Sequence, residues 1–132
     1  MGPADGRLQG ALGRASTTFG NTGLVAAVAQ SIAVYRAPQE ARAIVAQIAQ
    51  DARECATFVA DKVTYTVRLT PQTGLGDWAA MVTITSTFGV EEISVIGIRN
   101  RVSVLALAAR GQGPSAQLVE QATQAAARRL RG

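Results

Sequence analysis

Residues 62–109 read KVTYTVRLTPQTGLGDWAAMVTITSTFGVEEISVIGIRNRVSVLALAA, and this stretch decides the fold. Apolar and polar residues alternate over 62–70: Val63, Tyr65, Val67 and Leu69 take one face, Thr64, Thr66 and Arg68 the other. That period belongs to a half-buried strand. Residues 71–77, with Gly74 and Gly76, read as loop. Residues 78–87 are rich in β-formers, and Phe88-Gly89 breaks them, which predicts a hairpin into a strand over 91–98. Arg99-Asn100-Arg101 marks a second turn, with Asn100 as the residue that tolerates the left-handed region. The strand predicted over 102–109 is apolar on both faces through Val102, Val104, Leu105 and Leu107, as a central strand covered on both sides would be.

Upstream of this stretch, Pro38 suits a first helical position and Glu40 places negative charge near the positive end of the dipole. Ala41, Ile44, Val45, Ile48, Ala52 and Cys55 then recur at spacings of three and four, one apolar stripe of a helix. Residues 24–36 do not separate helix from strand cleanly, but 31–36 alternate and read as strand. Residues 8–12 suit a short helix, and 13–23 read as loop. Downstream, Gly111 to Pro114 form a turn and Ser115 is a helix N-cap. Leu118, Val119, Ala122, Ala126 and Leu130 stripe the last helix, which Arg128, Arg129 and Arg131 close. The predicted class is α+β: an antiparallel meander of about five strands packed against two main α-helices, both shielding one side of the sheet. The predicted organisation is a flexible N-terminal segment over 1–23 and one domain over 24–132.

The 132 residues fit one domain with a genuine core. A hydrophobic fraction of 48% against 17% charged residues excludes a wholly disordered chain. The sequence has no histidine, which removes Ser-His-Asp and Cys-His catalysis and the H-E-x-x-H zinc site. One cysteine, Cys55, makes neither an internal disulfide nor a thiolate metal cluster. It reads first as a small buried apolar residue, with a reactive thiol or an intermolecular disulfide as alternatives. Of the 13 basic residues Lys62 is the one lysine, so neither a P-loop nor a Schiff-base lysine is expected. The net charge of +4 is not concentrated as a nucleic-acid footprint requires, and no nucleic-acid partner is expected. No run approaches 18 apolar residues, and the first six residues lack the basic and apolar regions of a signal peptide.

Few residues look chemically active. Gly74-Leu75-Gly76-Asp77 follows a predicted strand but precedes another strand, whereas a dinucleotide loop needs a helix N-terminus. Glu91 and Glu92 are strand neighbours and point to opposite faces, which reads as a solvated hairpin end. Asp51 and Glu54 share a helix face as a surface pair and lack the further oxygen ligands of a calcium site. Trp78 follows a glycine-bearing loop and opens a strand, where a pocket mouth belongs, against core or edge packing as the plainer reading.

The order of four segments resembles the extracellular sensor domain of actinobacterial PknH-type receptor kinases and their lipoprotein relatives. These segments are Ile32-Ala33-Val34-Tyr35-Arg36-Ala37-Pro38-Gln39-Glu40-Ala41, Ala52-Arg53-Glu54-Cys55, Gly76-Asp77-Trp78-Ala79-Ala80-Met81 and Ile98-Arg99-Asn100-Arg101-Val102-Ser103-Val104. The resemblance implies an antiparallel sheet with two principal helices, a ligand cleft, no catalytic residues, and secretion behind a signal, lipid anchor or transmembrane helix. Those kinase sensors carry paired cysteines, whereas Cys55 stands alone here, which points to a more distant branch. The expected function is a non-enzymatic extracytoplasmic sensor-like or ligand-binding domain of a secreted protein or lipoprotein. Its ligand, small or lipidic, would lie between sheet and helix, with Tyr35, Tyr65, Trp78 and Met81 as pocket walls chosen from the residues themselves. No metal and no cofactor are expected, and membrane attachment would be peripheral, through a segment outside this sequence. The alternative is a protein–protein interaction module that pairs with a second copy or a cell-envelope partner.

Overall fold

The computed structural model describes residues 13–19 and 27–131. The elements run β1 (Gly13–Phe19), β2 (Ala27–Val34), α1 (Pro38–Glu54), β3 (Thr57–Ala60), β4 (Val63–Pro71), β5 (Trp78–Ser86), β6 (Gly89–Ile98), β7 (Arg101–Arg110) and α2 (Ala116–Arg131). The described strands form one seven-stranded sheet in the order β1-β2-β7-β6-β5-β4-β3. Every neighbouring pair is antiparallel.

The meander closes through tight turns. Ser86 faces Gly89 and leaves Thr87-Phe88 at the tip. A Cβ on Gly89 would lie 2.2 Å from the Ala109 carbonyl oxygen, so β6 starts against β7 as only glycine can. At the β6–β7 turn the left-handed residue is Arg99, with φ 56°, and not Asn100 as expected. Asn100 serves differently: its Nδ2 donates to the Tyr35 carbonyl at 2.7 Å, and its own carbonyl accepts the Tyr35 N–H at 2.7 Å. That pair fixes the exit of β2, which spans Ala27–Val34 rather than the expected 31–36.

Two strands were not anticipated. Residues 13–19, read as loop, form β1 and pair with β2 from Gly13↔Val34 to Phe19↔Val28. The short helix expected at 8–12, and the loop expected at 20–23, lie outside the described residues. β3 pairs with β4 through the turn Asp61-Lys62, where φ is 50° and 65°. Two successive left-handed residues give the twist a two-residue hairpin needs.

The helices lie on opposite faces of the sheet, which corrects the expectation that both shield one side. Ile93, Val95, Val102 and Val104 pack with Val45, Ile48 and Ala52 of α1. Their strand neighbours Ile96, Ile98, Leu105 and Leu107 pack with Ala126, Ala127 and Leu130 of α2. β6 and β7 are apolar on both faces, and each face needs its own cover. Beneath α2, Ser94 and Thr123 share a hydrogen bond of 2.8 Å, and Gln30 Nε2 donates to Ser103 Oγ at 3.1 Å. These pairs satisfy polar groups inside an apolar layer. Ser115 caps α2 as read, its Oγ accepting the Leu118 N–H at 3.1 Å. Cys55 caps the end of α1 as a half-buried free thiol. No described helix is long and apolar enough to cross a membrane.

Candidate functional site

The groove of interest lies between α1 and the start of β5, and its construction begins with glycines. Trp78 pairs with Gly97 across the β5–β6 ladder. A Cβ on Gly97 would stand 2.9 Å from Trp78 Cε3 and 3.2 Å from Val45 Cγ2. The missing side chain thus gives the indole a seat against β6, beneath α1. The 72–77 loop is fixed beside it. Gln72 N donates to the Ala79 carbonyl at 3.3 Å and Asp77 N to the Gly97 carbonyl at 2.9 Å. Asp77 Oδ2 accepts the Arg99 N–H at 2.8 Å, and Gly76 packs so closely on Ile96 and Ile98 that a Cβ would fall within 2.9 Å of both. The glycine-rich loop is therefore a wall pinned at both ends and leading into a strand.

The resulting groove holds about 500 Å³. Trp78, Leu69, Pro71 and Ala80 form its floor, Thr73, Gly74 and Gly76 one wall, and Arg42, Ala46, Ala49 and Arg53 of α1 the other. The Arg42 guanidinium carbon stands 6.0 Å from the Trp78 ring centroid. At that range a cation–π contact contributes about 0.5–1 kcal/mol on a wet surface. Its volume lies within the usual range of small-molecule sites, roughly 300–1,000 Å³.

The four residues expected to wall one pocket are dispersed. Trp78 floors this groove. Met81, three positions on, faces the other side of the sheet in a cavity of about 480 Å³ bounded by α2, with Glu92, Val119, Glu120 and Thr123. There its sulfur accepts the Ser94 hydroxyl at 3.4 Å. Tyr65 stacks on Phe58, centroids 4.9 Å apart, at the far end of the α1 face. Tyr35 is 2% exposed and belongs to the α1 core. Sequence reasoning missed Arg42 and Arg53. Their spacing with Ala46 and Ala49, at i, i+4, i+7 and i+11, was the available signal.

The two glutamates do point to opposite faces, but neither is at a fully solvated hairpin end. Glu92 Oε2 accepts the Thr83 hydroxyl at 2.7 Å. Glu91 is half-buried in a trough of about 670 Å³ with Tyr65, Ile84, Phe88, Ala108 and Arg110, and this burial raises its pKa above the ordinary carboxyl value. Among the described residues no group of three or more Cys, Asp or Glu side chains is placed to hold a metal ion.

Comparison with family models and with curated proteins gives no match. Among solved structures the chain is similar to the extracellular domain of PknH from Mycobacterium tuberculosis, with a TM-score of 0.71 and 13% sequence identity. The superposition covers 96% of this chain and 69% of that one. With its antiparallel sheet and its two helices, this chain has the fold of the PknH extracellular domain.

Proposed function

We propose that this chain is a non-enzymatic, sensor-like domain of an extracytoplasmic protein, secreted or anchored at the cell envelope, and that it binds a small or lipidic molecule in the α1–Trp78 groove. The observation that carries the reading is the groove itself: an indole seated on Gly97 at the floor of a 500 Å³ cleft with a loop wall pinned at both ends. Apolar floor supplies affinity and the rim supplies orientation, the usual division in ligand sites. Likeness to an extracellular kinase domain supports the location outside the cytoplasm.

Native mass spectrometry of protein recovered from an actinobacterial host tests this. A retained molecule of a few hundred daltons is expected on the natural chain and not on Ala46→Phe, which fills the groove from an exposed position. Bare protein in both cases, or an adduct indifferent to Ala46→Phe, would count against it. The second reading, a protein–protein module, draws on Phe88 and Val59, which stand 68% and 67% exposed. Concentration-dependent association that Phe88→Ser abolishes would favour that reading.

A further inference from the structure

We propose that the ligand of this groove is an anionic amphiphile: an apolar chain or ring body lying on Trp78 and Leu69, with a carboxylate or phosphate met by Arg42 or Arg53. This inference rests on the ligand-binding reading above and adds the chemical class. It follows from how α1 distributes its charges. At about 100° per residue, Arg42, Ala46, Ala49 and Arg53 fall within roughly 60° of one another around the helix axis. Glu40, Asp51 and Glu54 fall roughly 110–170° away from that flank. Two of those carboxylates are engaged there: Asp51 Oδ1 accepts from Gln47 Nε2, and Glu54 Oε1 from Gln50 Nε2, both at 2.9 Å. The helix therefore presents a basic flank to the groove and an acidic flank elsewhere. The acid on the opposite wall, Asp77, has Oδ2 committed to the Arg99 N–H.

Between the arginines the flank is small and apolar. Arg42 and Arg53 are eleven helical steps apart, about 16 Å along the axis, and Ala46 and Ala49 leave the space between them open. A cation at each end of an apolar floor fits an acidic head on an apolar body. It disfavours an ammonium head, which would meet like charge at either end. The two arginines sit on an exposed flank, so their replacement leaves the core intact.

Trp78 is the sole tryptophan of the chain, so its emission reports on this groove without labelling. The full chain would be titrated, below micellar concentrations, with dodecanoate, dodecyl phosphate, dodecanol and dodecyltrimethylammonium. Saturable changes in Trp78 emission are expected with the two anions, at least tenfold tighter than with the alcohol or the ammonium compound. Their relative affinities tell carboxylate from phosphate. Arg42→Gln/Arg53→Gln is expected to weaken the anions tenfold or more and dodecanol far less, and 0.5 M salt should act in the same direction. Equal or tighter binding of the alcohol or the ammonium compound, or anion binding indifferent to the double variant, would overturn the anionic class. The groove would survive that result provided Ala46→Phe abolished the binding. If no probe perturbs Trp78, or if binding persists in Ala46→Phe, the groove reading falls together with this one.

Discussion

Two residues carry opposite lessons about local chemistry. Gly97 is defined by what it lacks, since the indole of Trp78 and a methyl of Val45 occupy the space a side chain would need. Gly97→Ala forces the ring to tilt or the strand to shift, and overpacking of this kind costs about 1–3 kcal/mol. Urea unfolding should report that loss, and the folded protein's Trp78 emission should move with it. Glu91 is defined by what surrounds it. Burial raises its pKa from the ordinary 4.5, so ionisation is harder in the folded chain than in the unfolded one. This handicap is absent below the unfolded pKa, grows as pH rises through the interval up to the folded value, and is constant above it. Arg110 lies on the rim of the same trough. Glu91→Gln is therefore expected to melt higher than the natural chain at pH 7 and with it at pH 4. The gain is small because part of the carboxylate still meets water. Thermal unfolding at the two pH values checks it.

At the scale of elements, periodicity found what periodicity can find. Val63, Tyr65, Val67 and Leu69 are half-buried and their neighbours exposed along β4, and the stripe from Ala41 to Ala52 is the buried face of α1. Ser115→Ala tests the start of α2. It removes the acceptor of the Leu118 N–H and should cost about 1 kcal/mol, measured as a shift of the denaturation midpoint at unchanged slope. What periodicity could not find was short or lacked a pattern. β3 has four residues, and its turn uses Asp61-Lys62 where a glycine would have announced a hairpin. β1, with the sequence GRASTTF, has no alternation to read. It becomes a strand because the edge of β2 offers it a hydrogen-bonding ladder.

For the whole molecule, the central strands should be the most durable part. β6 and β7 are flanked by strands on both sides and capped by a helix on each face, whereas β3 is an edge strand with exposed side chains. Hydrogen exchange is expected to be slowest at Ile93–Ile96 and Val102–Leu105 and fast at Thr57–Ala60, with mass spectrometry of peptic fragments as the measurement. The same architecture distributes the cavities. The 72–77 loop walls two grooves, a basic one facing α1 and, through Gln72, Thr73 and Leu75, one facing α2 that contains Glu92 and Glu120. A ligand choosing between them would choose by charge.

The sequence by itself determined the class, the meander, both helices and the Ser115 cap of α2, because each depends on interactions within a few residues. It also held part of the site. Trp78 at the loop–strand junction was legible, and strand alternation already separates it from Met81, since positions an odd number apart point to opposite faces. Only the tertiary structure decided that the helices occupy opposite faces, that β1 and β3 extend the sheet, and that Arg42 and Arg53 line the groove floored by the indole. Those facts follow from which apolar faces find cover and which edges find partners. Both are long-range outcomes of burying two sheet faces at once, and no local period encodes them.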